Sequence, residues 1–357
     1  MKLNGSDFLE IDGSFGEGGG AILRLSAGYS VLFNKPLRIK NIRANRPKPG
    51  LRLQHLLGLK ALANLTNSKL SNCNVGTEEI TFIPNIKSLK SKIHVKINTA
   101  ASIGLLLQPI QIACLRLVQQ DKINIILEGG GTFGKWAPSL NYLTNVIYQI
   151  FKRSGLTINI EIKKFGFYPK GVAQTNCTII PPKNNLKPIN LTNLGDVDLI
   201  KGEIVLTNHL KRNGNNIANR IKKSINIEIK KTLGIETDIK DVWVNSLSPG
   251  VGLCLWACSN TGAIVSTGTI LGEKRLSSEK LGYITAKEMI KYIQNEIPVD
   301  NYLSDQLIPL MAYVKAPSSI KVFEITSHTR TNLELIKLFT DKSYKILKYD
   351  NHYLIEY

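Results

Sequence analysis

Apolar residues along the chain fall into two rhythms, a period of two that marks strands and a three-to-four spacing that marks helices. Phe8–Ile11 has the first rhythm and breaks at Asp12-Gly-Ser-Phe-Gly-Glu-Gly-Gly-Gly20. A helix follows over about Ala21–Leu32, with Ile22, Leu23, Leu25 and Tyr29 on its apolar face. Pro36–Ile42 reads as a second strand, and Leu51, Leu53, Leu56, Leu57, Leu59 and Leu62 carry a second helix to about Ala63. Asn74–Thr77 and Glu79–Ile83 are expected as a closing pair of strands, giving the order β-α-β-α-β-β.

The order recurs. Ile93–Ile97 alternates, Ile103–Leu117 is apolar at helical length, and Ile123–Leu127 is a strand running into Glu128-Gly-Gly-Gly131. Pro138–Phe151 reads as a helix with proline near its start, where its missing N–H is no loss. Leu156–Ile162 and Thr175–Ile180 complete the second copy. A third is expected in helix Tyr302–Val314, strand Ile320–Ile325, helix Thr331–Phe339 and strands Tyr344–Leu347 and Tyr353–Glu356. A period of roughly 90 residues is too long for a solenoid, so three α/β units around a pseudo-threefold arrangement are expected.

Between copies two and three the texture changes. Pro181-Pro-Lys-Asn-Asn-Leu-Lys-Pro188 reads as a linker. Strands Ile200–Leu206, Val242–Ser246 and Gly252–Ala257 surround a basic helix, Asn216–Leu233, closed by Gly234, and Glu279–Glu296 reads as a further helix. The expectation is an α/β (α+β) protein, with a large domain over 1–186 and 277–357 and an inserted small α/β domain over 187–276.

Composition narrows the partners. The 357 residues are 43% hydrophobic and 20% charged, which is globular. Lys+Arg exceed Asp+Glu by 46 to 27, a formal net charge of +19, which favours a polyanion such as nucleic acid. The lysines are spread along the whole chain, which leaves simple solubility open as a second reading. The cysteines (Cys73, Cys114, Cys177, Cys254, Cys258) form no CxxC pair, and Cys254 and Cys258 alternate within a strand-like run that should bury both. No signal-peptide core opens the chain and no apolar run reaches membrane-spanning length, so a soluble cytoplasmic protein is expected, with no membrane partner.

The densest chemistry lies in Ile42-Arg-Ala-Asn-Arg-Pro-Lys-Pro-Gly-Leu-Arg-Leu-Gln-His55. Arg43, Arg46, Lys48 and Arg52 crowd a loop stiffened by two prolines, just ahead of a helix start. Guanidinium groups beside a helix N-terminus suit an anion. The glycines at 16–20 let backbone approach a phosphate, and Glu17 among them is either a Mg²⁺ ligand or a solvated turn residue. Arg24 lies one helical turn on. Gly129-Gly-Gly-Thr-Phe-Gly-Lys135-Trp136 nearly matches a P-loop, but Trp136 replaces the Ser/Thr that would hold Mg²⁺, which rejects that reading. A glycine-rich turn that can line a ligand site remains. Asp305 and Gln306 sit at a helix start, where capping is the commoner role. Gln108, in an apolar helix, needs a partner and is either structural or a ligand contact. His328, in Ser327-His-Thr-Arg-Thr-Asn332, stands at a strand-to-helix junction, as the glycine-rich and basic loops do. If the copies pack around one cleft, it faces the anion site as nucleophile or acid–base.

Taken together, these pieces resemble the RNA 3′-terminal phosphate cyclases. The resemblance is carried by Asp12–Gly20, Ile42–His55, Gly130-Gly-Thr, Ala137-Pro-Ser, Gly166-Phe-Tyr-Pro-Lys-Gly171, Asp305-Gln-Leu-Ile-Pro309 and Ser327–Asn332, in order along nearly the whole chain. It implies three βαβαββ repeats with an inserted small domain. It also implies an ATP-dependent reaction on RNA with a 3′-phosphate, assisted by Mg or Mn, through histidine–AMP and adenylylated RNA to a 2′,3′-cyclic phosphate. By position, the resemblance makes His328 the nucleophile and puts Gln108, Pro138, Tyr302, Leu303, Ser304, Asp305 and Gln306 at ATP. Arg24, Arg43, Arg46 and Gln54 would hold phosphates, and Glu17 the metal. Val172 stands where a further glycine is expected, and Ala21 where glutamine is common. A branch of the family that works in ribosomal RNA processing, as a binding protein without cyclase activity, lacks the histidine that is present here. The related repeats of shikimate-type carboxyvinyl transferases lack these motifs. Oligomeric state is not readable from the sequence.

Overall fold

The computed structural model describes residues 8–16, 18–87, 89–117, 121–213 and 216–357. In the first unit β1 (Leu9–Asp12) crosses over through α1 (Gly20–Phe33) to a parallel partner, β2 (Leu37–Lys40). Then α2 (Leu53–Thr66) leads to β3 (Lys69–Leu70) and β4 (Ile80–Ile83), in the sheet order β1-β2-β4-β3. Ile11, Leu37, Ile39, Ile80 and Phe82 are the inward half of the alternation and are buried. Both helices end on an asparagine in the left-handed region, Asn34 and Asn67, which accepts that conformation at low strain. One expected strand is a turn. At Asn74–Thr77 the backbone closes a turn, Thr77 N to Asn74 O (3.2 Å), and ties to the loop before α2, Gly76 N to Leu51 O (2.8 Å) and Leu51 N to Thr77 O (2.9 Å).

The second unit repeats the first. β5 (Lys92–Ser102), α3 (Ile103–Cys114) and β6 (Ile123–Gly131) form the parallel pair and its crossover. A helical run of α4 (Leu140–Tyr142), a π-helical segment (Leu143–Ile147) and α5 (Tyr148–Ser154) leads to β7 (Thr157–Lys164) and β8 (Gln174–Ile180). The order β5-β6-β8-β7 matches that of the first sheet.

A two-residue strand, β9 (Asn190–Leu191), comes next, and the inserted segment follows it. There β10 (Leu199–Thr207), α6 (Ile217–Leu233), β11 (Glu236–Val244), β12 (Val251–Cys258), β13 (Ile264–Ser266) and β14 (Ile270–Leu271) build a sheet of order β11-β10-β12-β13, with β14 on β12. Ala218, Ile221, Ile225 and Ile229 give α6 a fully buried stripe at helical spacing. α7 (Ser278–Gln294) packs along α6 so closely that a Cβ at Gly282 would lie 2.6 Å from Ile221 O. The cations of α6 are largely neutralised: Arg220 pairs with Glu279 (2.6 Å), Lys222 with Asp241 (2.5 Å) and Lys230 with Glu236. Cys254 is buried as expected, but Cys258, on the same face at the last residue of the strand, is exposed; all five cysteines are free.

The third unit closes the chain with α8 (Leu303–Tyr313), β15 (Ser319–Val322), α9 (Ser327–Lys337), β16 (Lys345–Lys348) and β17 (Tyr353–Glu356). Its sheet reads β9-β15-β17-β16, with β9 parallel to β15 and the other pairs antiparallel. The first strand of the third repeat therefore precedes the insertion. Two paired residues offer no alternation to read, which is why the sequence pattern begins that repeat at its helix. On these pairings, and on the packing of α7 against α6, we infer an insertion of 192–297 in place of 187–276.

A shared core links the units. Gly28 of α1 lets α3 approach, since a Cβ there would lie 2.9 Å from Ile112 Cβ. Tyr29 of α1 hydrogen-bonds Asn332 of α9 and packs tilted against Phe339, ring centroids 5.4 Å apart. The insertion rests on the second unit through Phe133 and Phe167 (ring centroids 5.2 Å apart), which press against Gly252 and Gly250. Among the described residues no helix is long and apolar enough to cross a membrane.

Candidate active site where the helix starts converge

The basic loop is held by its own arginine. Arg43 sits at φ +57°, and its Nη1 donates to Lys48 O (2.6 Å) and Gly50 O (3.1 Å). Gly50, at φ +71°, presses on Gly76, where a Cβ would lie 2.3 Å from Gly76 O. Partial burial, then Arg52 and Arg46, hold the Arg43 pKa below its ordinary value. Like charges brought this close favour an anionic occupant.

The glycine-rich loop fits into what surrounds it. A Cβ at Gly16 (φ +58°) would lie 2.6 Å from Thr331 Oγ1 of α9, and one at Gly19 would lie 3.0 Å from Arg46 Nη2. A Cβ at Gly20 would lie 2.1 Å from His55 Nε2 and 2.9 Å from Arg24 Nη1. α1 begins there with no side-chain cap, so its first N–H groups and the positive helix end face this cluster. His55 is itself buried; burial first, then Arg24, Arg43 and Arg52, push its pKa down to about 3 and keep the ring neutral.

From Arg24 a polar chain crosses to α9. Arg24 Nε donates to Gln108 Oε1 (2.9 Å), and burial draws the guanidinium down to about 10 against the pull of Asp305. Asp305 is raised by burial, opposed chiefly by His328 and also by Gln306 and Arg24. Gln306 Nε2 donates to Asp305 Oδ2 (3.1 Å), Gln111 Nε2 to Gln306 Oε1 (3.0 Å), and Tyr148 OH to Gln111 Oε1 (3.1 Å). This ladder fixes the carboxylate from behind. His328 lies in the first turn of α9 with its ring exposed, beside Asp305. Thr329 next to it is fully buried and bonded to Ser304 (2.8 Å), and Asn332 Nδ2 donates to Asp305 O (2.6 Å). The turn carrying the imidazole is thus bolted to α8.

On the other side, Tyr302 lies over Gly268, where a Cβ would be 2.5 Å from its ring, and edge-on to Tyr142. Pro138 packs its carbonyl against Gly104 at the start of α3, and the next amide, Ser139 N, donates to Thr269 Oγ1 (2.7 Å). Pro138 and Tyr302 therefore flank the same strip, Gly268–Thr269. Leu303 and Ser304 are fully buried, so their side chains serve the core. Gln54 Oε1 accepts from Ser102 N (3.3 Å), joining the starts of α2 and α3. Glu17 lies outside the described residues. Among the described residues no group of three or more His, Cys, Asp or Glu side chains is gathered to hold a cation.

The Gly129–Gly131 run has a packing role. Gly129 and Gly130 take positive φ, and a Cβ at Gly129 would lie 1.9 Å from Ile97 O. Lys135 pairs with Glu273 (3.0 Å) and lies over the Trp136 ring. One residue that sequence reasoning missed is Asp300. It is fully buried, and its Oδ1 accepts from Tyr142 OH (2.8 Å), Tyr302 N (3.0 Å) and Leu303 N (2.9 Å). Its Oδ2 accepts from Ser266 N of the insertion (3.1 Å). Burial pushes its pKa up to about 7. Asp300 therefore satisfies the start of α8, the role weighed for Asp305; an Asp just ahead of the helix was the available signal.

Comparison with known proteins agrees along almost the full length. The family model described as RNA 3′-terminal phosphate cyclase matches residues 15–346. The chain is similar to the RNA 3′-terminal phosphate cyclase of Thermococcus gammatolerans, 35% identical over 340 residues, 95% of this chain and 94% of the relative. It is also similar to the proteins of that name from Pyrococcus furiosus (36% over 339 residues, 94% of each) and Methanopyrus kandleri (33% over 343 residues, 95% of each).

Proposed function

The chain belongs to the RNA 3′-terminal phosphate cyclase family, and from that premise we propose that it uses ATP to convert an RNA 3′-phosphate into a 2′,3′-cyclic phosphodiester, with His328 carrying AMP between the two. The observation that carries the reading is the exposed imidazole of His328 in the first turn of α9, beside Asp305 and across from Arg24.

In the first step a ring nitrogen of His328 attacks the α-phosphorus of ATP. The P–N bond forms, the bond to the bridging oxygen breaks, and pyrophosphate leaves. Asp305 orients the ring and stabilises the positive charge it gains, with Gln306 holding the carboxylate. In the second step an oxygen of the RNA 3′-phosphate attacks the same phosphorus. The P–N bond breaks, and the electron pair returns to the imidazole. In the third, the adjacent 2′-OH attacks the 3′-phosphorus, loses its proton and displaces AMP.

Each step moves negative charge among phosphate oxygens, so positioning and charge neutralisation dominate. Arg24, Arg43, Arg46 and Gln54 would supply both. Pro138 and Tyr302 would wall the adenine. Gln108, buried and bonded to Arg24, acts through that arginine. A divalent ion held mainly by substrate phosphates needs only one or two protein carboxylates, a role proposed for Glu17. The test is incubation with ATP labelled at the α-phosphate. An acid-labile AMP adduct is expected on the wild type and none on His328→Ala.

A further inference from the structure

His55 has a role in this site beyond packing. Its ring is 8% exposed, and Arg52 N donates to Nδ1 (3.2 Å). Nδ1 is thereby the acceptor, and the ring proton lies on Nε2. Among the described residues that Nε2–H meets no acceptor; it is aimed at Gly20, the first residue of α1, next to Arg24 Nη1. Arg46 Nη2 lies alongside, against Gly19. Backbone N–H groups, two guanidinium groups and one imidazole N–H thus converge, all of them donors. A donor of a mostly buried ring with no protein acceptor is best satisfied by a ligand that supplies one.

The geometry points to His55 as a phosphate-binding residue, an uncharged donor that closes the cradle formed by the start of α1, Arg24 and Arg46. The absence of charge has a purpose. Arg24, Arg43 and Arg52 already surround the ring, and a further cation there would be repelled. A neutral imidazole adds a directed hydrogen bond and no such repulsion. Whether the phosphate is the RNA end or part of ATP rests on the cyclase reading; that the ligand is an oxyanion does not.

The test uses the full chain labelled with ¹⁵N-histidine and two variants. His55→Asn keeps an acceptor for Arg52 N but no reach to the cradle. His55→Gln restores a donor near the Nε2 position. Urea midpoints establish that both are folded. The His55 Nε2–H resonance is followed while inorganic phosphate, ATP, a 3′-phosphorylated oligoribonucleotide and its 3′-hydroxyl counterpart are added. The expected results are a resonance shift with inorganic phosphate, phosphate binding weakened on the order of tenfold in His55→Asn, and recovery of most of it in His55→Gln. The nucleotide arms then tell which substrate supplies the phosphate.

Wild-type phosphate affinity in His55→Asn, or equal loss in both folded variants, overturns the proposal. A wild-type protein that binds phosphate with the His55 shift but cyclises no RNA overturns the cyclase reading and leaves the His55 assignment standing. Cyclising activity with no His55 shift for any of the phosphates does the reverse.

Discussion

Gly20→Ala sets two effects of known size against each other. Alanine in place of glycine near a helix start is worth up to about 1 kcal/mol. The new Cβ, however, would sit 2.1 Å from His55 Nε2, 2.8 Å from His55 Cδ2 and 2.9 Å from Arg24 Nη1. The arginine tip can swing away. The imidazole cannot do so freely, because it is buried and its Nδ1 is bonded to Arg52 N. Opening such a contact by more than an ångström resembles overpacking, about 1–3 kcal/mol, with loss of the Arg52 bond worth about 1 kcal/mol more. The expected net is a destabilisation of about 1–3 kcal/mol, read as a lower urea midpoint at unchanged m-value. Adding His55→Ala should relieve the clash, so the double variant should fall short of additivity by about 1 kcal/mol or more. A Gly20→Ala protein as stable as wild type, or strict additivity in the double variant, would mean that the imidazole gives way cheaply and the cradle is not rigid.

Val172, at φ +62°, holds a β-branched side chain in the left-handed region, so Val172→Gly should stabilise by about 1 kcal/mol in urea melts, net of glycine's extra unfolded-state entropy. Asp300 has a folded pKa near 7, above its ordinary value of 3.8, so its contribution to stability is full below the unfolded value and is lost as pH rises through about 7. Unfolding free energy should therefore decline from pH ~4 to ~7 on account of this group; Asp300→Asn should flatten that decline and, by leaving Ser266 N facing an amide, start lower at the acid end. Arg46→Ala, which removes a guanidinium lying against Gly19, should lower kcat/KM for 3′-phosphorylated RNA by about 10–100-fold in steady-state assays with little change in the urea midpoint.

The repeat was legible where an element was long enough to show its period. The crossovers α1, α3 and α6 could be read because buried positions recur at fixed spacing, whereas β11 (Glu236–Val244) was read only from Val242, since charged residues fill the exposed positions of its first half. β9 could not, since two residues carry no period and its partner β15 lies beyond the insertion. Asn74–Thr77 looked like strand because nothing local reveals that Gly76 N and Thr77 O are taken by Leu51. Cation density marked the basic loop, but not that Arg43 spends its donors on its own loop carbonyls. The positive φ at residue 172 gives a physical reason for the glycine expected there. Asp300 and His55 escaped because their value comes from tertiary neighbours, Ser266 and Tyr142 for the one, Gly20 and Arg24 for the other. Those neighbours come from other elements of the fold, and a single sequence does not pair them.

The central claim is that His328 carries AMP. It is tested most directly by mass spectrometry of the protein after incubation with ATP and Mg²⁺ or Mn²⁺, then digestion and localisation of the modified residue. The account predicts an AMP adduct on His328, acid-labile, discharged when 3′-phosphorylated RNA is added and absent from His328→Ala. No adduct under either metal, or an adduct that persists in His328→Ala, would contradict it.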